Sequence, residues 1–219
     1  LPISADGAAW PQKGRHGYDN GNWIRMHRHQ WTPTDTELES AWNLLYMAIG
    51  FANNLLTDFE NLDFEKLNPG ISKEQAIAEM KVYRAYSYAY LLDMFGDVPV
   101  VETINEVSPP TKTRKEVFEF VEKELKENIP LLSDNKTTTY GRVSKWGANA
   151  LLAHLYLNAE VYVGTPRWDD CIAACDEIIN KGGFQLDQHW NDPFKVDNDK
   201  NSKENIWVIV YDEIYAAGD

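Results

Sequence analysis

"SKEQAIAEMKVYRAYSYAYLLDMFGDVPVV", residues 72–101, decides how the chain folds. Ser72 followed three residues later by Gln75 resembles a capping box, so a helix should open there and run to Phe95, where Gly96 stops it. Met80, Tyr83, Ala85, Tyr86, Tyr88, Ala89, Leu91 and Leu92 leave few polar positions on it. A helix that is apolar nearly all round needs neighbours on several sides, so this one is central. The stretch that follows, "DVPVVETINEVSPPTKT" (97–113), must be an extended connection, because Pro99, Pro109 and Pro110 each turn the preceding residue away from helix.

Upstream, Thr34 or Asp35 can cap a helix. Leu38, Ala41, Trp42, Leu45, Tyr46, Ile49, Ala52 and Leu56 then recur at spacings of three and four until Asn68-Pro69-Gly70 closes the segment. Downstream, Thr113 opens a helix that buries Val117, Phe118, Val121, Leu125, Ile129 and Leu132, with its Glu and Lys residues from 115 to 127 forming a solvated face. A further helix is expected from about Lys145 to Val163, rich in alanine and leucine and stopped by Gly164 and Pro166. The last begins near Trp168, where Asp169 and Asp170 suit the helix dipole, and turns Cys171, Ile172, Cys175, Ile178 and Ile179 inward. Only a few residues join these two helices, so they should lie antiparallel. Two cysteines four apart on a helix cannot be bridged without strain and read as free buried thiols. Ile206 to Tyr211 could form a buried strand or an extended edge. The fold class is mostly α: tetratricopeptide-like helical hairpins with long irregular loops, although no clean 34-residue period can be read off. Three regions follow: 1–34 as a loop segment, 35–182 as the helical scaffold, and 183–219 as mixed loop and short strand.

Composition removes several function classes. Of 219 residues, 21 are basic and 34 acidic, a formal charge of −13 that repels a phosphate backbone or an anionic membrane surface. No run approaches the roughly eighteen apolar residues that a membrane span needs. Nucleophilic catalysis has no GxSxG elbow, and a lone His154 in an alanine-rich helix reads as a packed histidine. With so many carboxylates, accidental pairs are certain, so none is assigned to glycoside hydrolysis. The chain reads as non-catalytic.

The segment "GRHGYDNGNWIRMHRHQW" (14–31) crowds histidines and aromatics into irregular chain. Zinc would need a third converging ligand beside His27 and His29, and nothing resembles HExxH, so no metal or cofactor is expected; bound calcium stays an open point. "IRMHRHQW" (24–31) reads as a short extended piece, with Ile24, Met26 and Arg28 on one face and the histidines satisfied by hydrogen bonds. Aromatic faces stack on the C–H faces of sugar rings, while carboxylate, amide and guanidinium groups hydrogen-bond ring hydroxyls. Trp10, Tyr18 and Trp23 beside Asp6, Arg15, Asp19 and Asn22 offer that mixture. The alternative is that the tryptophans only pin a long loop to the core. Trp31, next to Pro33, reads as a hydrophobic staple for the helix that follows.

Five ordered stretches carry a family resemblance. "AWNLLYMAIGFANNLL" (41–56), "AEMKVYRAYSYAYLLDMFGDVPVV" (78–101), "TRKEVFEFVEKELKENIPLL" (113–132), "YGRVSKWGANALLAHLYL" (140–157) and "ENIWVIVY" (204–211) together resemble the SusD/RagB family of outer-membrane nutrient-binding lipoproteins. The resemblance implies a helical scaffold with ligand-facing loops. It implies a lipoprotein on the outer face of the outer membrane in Bacteroidota, beside a SusC-like TonB-dependent transporter to which it delivers oligosaccharide. Family chains are longer, so this chain is read as an internal fragment whose lipid anchor and C-terminal part lie elsewhere. The family has no fixed ligand motif; loops preceding the Trp42 helix commonly contribute to the glycan surface, which points to Trp10, Tyr18 and Trp23 as stacking platforms and to Asp6, Arg15, Asp19 and Asn22 as hydrogen-bonding partners. The alternative within the same resemblance is a protein- or peptide-binding module of the RagB type.

Overall fold

The computed structural model describes residues 3–211 and 214. Two compact units form, Leu1–Met47 and Ala48–Asp219. In the first, a tight turn at Asp19–Gly21 leads into α1 (Asn22–His27), and α2 (Thr36–Asn61) begins after an irregular connection. Residues 24–31 therefore do not form the extended piece expected from alternation. Asn22 and Met26 are the buried positions of α1, spaced four apart as a helix requires, while Ile24 is 48% exposed. Asp19, Asn20 and Gly21 all have positive φ, which turns the chain sharply enough to start this helix. The histidines are satisfied as expected: His27 Nδ1 lies 3.3 Å from the Ile3 carbonyl and His29 Nε2 2.6 Å from that of Ser4.

Asp35 marks the start of α2 differently from an ordinary cap. Its carbonyl accepts from the amides of Leu38 and Glu39, but its buried side chain takes the Thr32 amide at 2.8 Å and the Arg25 guanidinium. Those contacts hold the Asp35 carboxyl below the usual carboxylate range, Arg25 contributing most. Trp31 is 46% exposed and its ring neighbour is His29, so it does not act as a staple.

In the second unit, α4 (Lys73–Phe95) follows the short α3 (Phe64–Leu67) and opens as expected, with Ser72 Oγ accepting from the Gln75 amide at 3.1 Å. Ala78, Val82, Ala85, Tyr88, Leu91 and Leu92 are fully buried, whereas Tyr83, Tyr90 and Met94 remain partly open. After α4 the chain makes β1 (Val98–Pro99), which pairs antiparallel with β2 (Thr111–Lys112), Pro99 facing Thr111. The proline-rich connection is thus closed into a short ribbon. α5 (Arg114–Asn128) starts with a full capping box between Thr113 and Glu116. It runs antiparallel to α4: Arg114 at its start donates to the Leu92 carbonyl at the end of α4, and Arg84 meets Glu124 further along.

That last contact corrects the picture of a wholly solvated Glu/Lys face. Glu124 is 5% exposed and accepts from Arg84 Nε and Nη2 at 3.1 and 2.8 Å. Arg84 Nη1 also donates to Asn53 Oδ1 at 2.7 Å and to the Glu102 carbonyl at 3.0 Å. One guanidinium therefore ties α2, α4, α5 and the chain after β1 with every bond directed, which is what makes a charge at that depth tolerable.

The second hairpin is α6 (Lys145–Leu157) against α8 (Trp168–Lys181). The single helix expected from Lys145 to Val163 is two pieces, α6 and α7 (Ala159–Val163). At the break, Asn158 Nδ2 donates to the His154 carbonyl at 2.9 Å, a side chain competing for a helical acceptor. His154 itself faces solvent and is not packed. On α8 only Ala174 and Ile178 are buried; Ile172 and Ile179 are 58% and 71% exposed, and the two cysteines are free and half-buried. Burial and the adjacent Cys175 push the Cys171 thiol up.

Ile206–Tyr211 is not a strand. Its Trp207 instead packs on α6 where Gly147 leaves room: a Cβ at that position would sit 3.1 Å from three Trp207 atoms. The Tyr86 ring closes on the same indole at 5.1 Å. Side-chain packing on a helix thus does the work that a strand ladder was expected to do.

Candidate functional site

The first unit gathers part of the predicted sugar surface. Trp10 and Trp23 have ring centroids 5.9 Å apart at 38°, and Trp10 is 51% exposed. Trp10 also packs over the backbone at Gly17, where a Cβ would come within 2.6 Å of its indole nitrogen; Gly17 has φ +70°, so two independent constraints require glycine there. The His16 ring adds an edge 6.4 Å from Trp10. Trp23 donates its indole N–H to Asp19, which fixes the ring. Tyr18 is 50% exposed, and Arg15 and Asp6 are exposed as well. Asp6 lies 3.8 Å from His27 Nδ1.

Two of the seven predicted residues have other occupations. Asn22 is 5% exposed and donates to Glu37, so it braces α1 against the start of α2 and presents no surface to a ligand. Asp19 is engaged with Trp23, which makes it a positioning group for that ring. Sequence reading missed His16, the Gly17 floor under Trp10, and the Arg25–Asp35 clamp. Arg25 Nη1 also holds the Asn20 carbonyl at 2.6 Å, which fixes the left-handed turn that carries Tyr18 and Asp19. The only available signal for that clamp was a pair of opposite charges ten residues apart. What remains chemically is a semi-exposed indole pair, with an exposed phenol and exposed polar groups in the same segment, suited to apposition against a flat amphipathic ring. Among the described residues, no group of three or more His, Cys, Asp or Glu is placed to hold a metal ion.

Antiparallel helical hairpins place the chain among tetratricopeptide-like scaffolds. Comparison with known proteins narrows this. The SusD-like family model described as "Starch-binding associating with outer membrane" matches residues 12–157, and the chain belongs to that family. A SusD-like protein of Bacteroides ovatus is 26% identical over 203 residues, 87% of this chain and 37% of the relative. The starch-binding protein SusD of Bacteroides thetaiotaomicron is 29% identical over 133 residues, covering 61% of this chain and 24% of that protein. A solved structure of a laminarin-binding SusD-like protein superposes with a TM-score of 0.72 at 26% identity, covering 86% of this chain and 41% of its own. The chain therefore spans about a quarter to two fifths of the length of these proteins.

Proposed function

We propose that this chain is part of a non-catalytic, cell-surface glycan-binding protein of a nutrient-uptake system, handing oligosaccharide to a TonB-dependent outer-membrane transporter. Family membership supports the class, and the laminarin-binding relative supports a neutral glucan as one type of ligand. The observation that carries the reading to this chain is the Trp10–Trp23 pair, held by Gly17 and Asp19 with Trp10 half open to solvent. Indoles that serve only to pin a loop have no need of such exposure. Trp10 supplies the stacking face, Trp23 supports it, and Tyr18, Arg15 and Asp6 supply hydroxyl-directed hydrogen bonds.

Attachment to the outer face of the outer membrane through a lipid is proposed from family membership; no helix among the described residues is long and apolar enough to cross a membrane. The test is titration of the purified full-length protein with a panel of neutral oligosaccharides, with product analysis of each mixture. Saturable binding without released sugar is expected. Capture of peptides with no glycan bound would favour the peptide-binding alternative, and release of reducing sugar would make the protein an enzyme.

A further inference from the structure

The second unit has a cleft far along the chain from the indole pair. It measures about 560 Å³ and opens between the turn before α6 and the segment after α8. That volume falls within the range of small-molecule sites. Tyr140, Phe184 and Trp207 line it with aromatic surface, and Gln185 and Asn205 line it with side-chain amides.

Both walls are built before any ligand arrives. On one side, Asn135 Oδ1 accepts from the amides of Thr137 and Thr138, Thr139 Oγ1 donates to the Asn135 carbonyl at 2.8 Å, and the Arg142 amide donates to the Thr139 carbonyl. On the other, the Asp187 carboxylate accepts from Ser202 Oγ and the Lys203 amide, and the Asp187 amide donates to the Glu204 carboxylate. Trp207 is fixed by Gly147 and Tyr86 as described above. Rigid walls spare a ligand the entropy of ordering them.

The polar groups divide into spent and unspent. Arg142 is committed to Glu79, with Nη2 2.9 Å from both carboxylate oxygens. Lys136 donates to the Gly183 carbonyl at 2.7 Å and lies 4.6 Å above the Phe184 ring. Two of the three cationic residues that line the cleft are thus already engaged, and the third, Lys203, is accompanied there by the carboxylate of Asp199. By contrast, the Tyr140 hydroxyl and the side-chain amides of Gln185 and Asn205 make no hydrogen bond among the described residues. Unspent neutral donors and acceptors beside aromatic faces match a hydroxyl-bearing ring, and they match a phosphate or a uronate poorly.

We infer that this cleft is a second saccharide subsite, separate from the Trp10–Trp23 surface, which takes one or two neutral sugar units against Tyr140 and Trp207 while Gln185 and Asn205 bond the hydroxyls. The inference rests on the glycan-binding reading above. It gives the helical unit a ligand contact of its own.

The test uses the indole N–H resonances of the eight tryptophans in a ¹H–¹⁵N spectrum of the full chain. The Trp207 signal is assigned through Trp207→Phe, and the sample is titrated with neutral and uronic oligosaccharides of equal length. Expected are a saturable shift of the Trp207 indole with neutral sugar, and its loss, with a midpoint weakened at least tenfold, in both Tyr140→Ala and Asn205→Ala at unchanged melting temperature. Shifts confined to Trp10 and Trp23 would overturn the second subsite and leave the glycan-binding reading standing. Silence of every indole with every sugar would remove both. A Trp207 response to uronic sugar alone would refute the neutral-ligand assignment.

Discussion

Replacing Arg84 with methionine removes a guanidinium that is 3% exposed and makes four hydrogen bonds: two to Glu124 Oε2, one to Asn53 Oδ1 and one to the Glu102 carbonyl. Glu124, 5% exposed, is left without its cation. Breaking a buried pair by deleting one partner typically costs about 3–5 kcal/mol, most of it from the stranded charge, whereas replacing both partners with apolar groups is often close to neutral. Urea unfolding at pH 7 should therefore show a loss of about that size in Arg84→Met, and much of it should return in the double variant Arg84→Met/Glu124→Met.

The pH dependence carries a sign. Burial already pushes the Glu124 carboxyl above its ordinary 4.5, with Arg84 the main group pulling it back, so without Arg84 it rises further. A carboxyl raised in the folded state binds its proton more tightly there than in the unfolded chain. Falling pH therefore favours the folded variant, from the raised value down to about 4.5. The deficit of Arg84→Met should shrink between pH 7 and pH 5. A loss below about 1 kcal/mol, a deficit that does not change with pH, or a double variant no better than the single would refute the argument.

Ser144→Ala removes the oxygen that accepts the Gly147 amide at 3.1 Å at the start of α6, and denaturant titration should show a loss of about 1 kcal/mol. Gly147→Val places two more carbons where a single Cβ already meets Trp207 at 3.1 Å, so the indole must leave α6; tryptophan emission should move toward that of solvent-exposed indole. Tyr156→Phe deletes a 2.8 Å bond to Glu122, whose carboxyl lies below its ordinary value because Tyr156 and Arg167 together outweigh its burial. That stabilisation is present above pH 4.5 and lost as pH falls through the lowered folded value, so the acid limb of a stability–pH curve should be shallower in the variant than in the parent.

The helices were legible because their signals are local. Ser72 with Gln75, and Thr113, mark helix starts locally, and the burial of Ala85, Tyr88, Leu91 and Leu92 follows from a run so apolar that it needs neighbours on several sides. Long-range pairing was not legible. Glu124 sits in a run of Glu and Lys that looks solvated, and only the distant Arg84 makes it a core residue. Ile172 and Ile179 carry the same letters as buried isoleucines, yet the neighbours on α6 reach only as far as Ala174 and Ile178. The 24–31 stretch was short enough to fit either period, and the left-handed turn at Asp19–Gly21 decided it. At the candidate site, composition pointed to Trp10 and Trp23, but it could not separate the exposed Tyr18 from the buried Asn22, because both lie in one irregular segment without a period.

The central claim is that the half-open indole pair grips sugar, with Trp10 as its exposed face. Calorimetric titration of the full-length protein with neutral oligosaccharides, laminarin fragments included, compares the parent with Trp10→Ala, a variant that leaves the Asp19–Trp23 bond in place. Saturable binding weakened about tenfold or more, equivalent to about 1.4 kcal/mol, at an unchanged melting temperature is the predicted result. Equal affinity in parent and variant would contradict it.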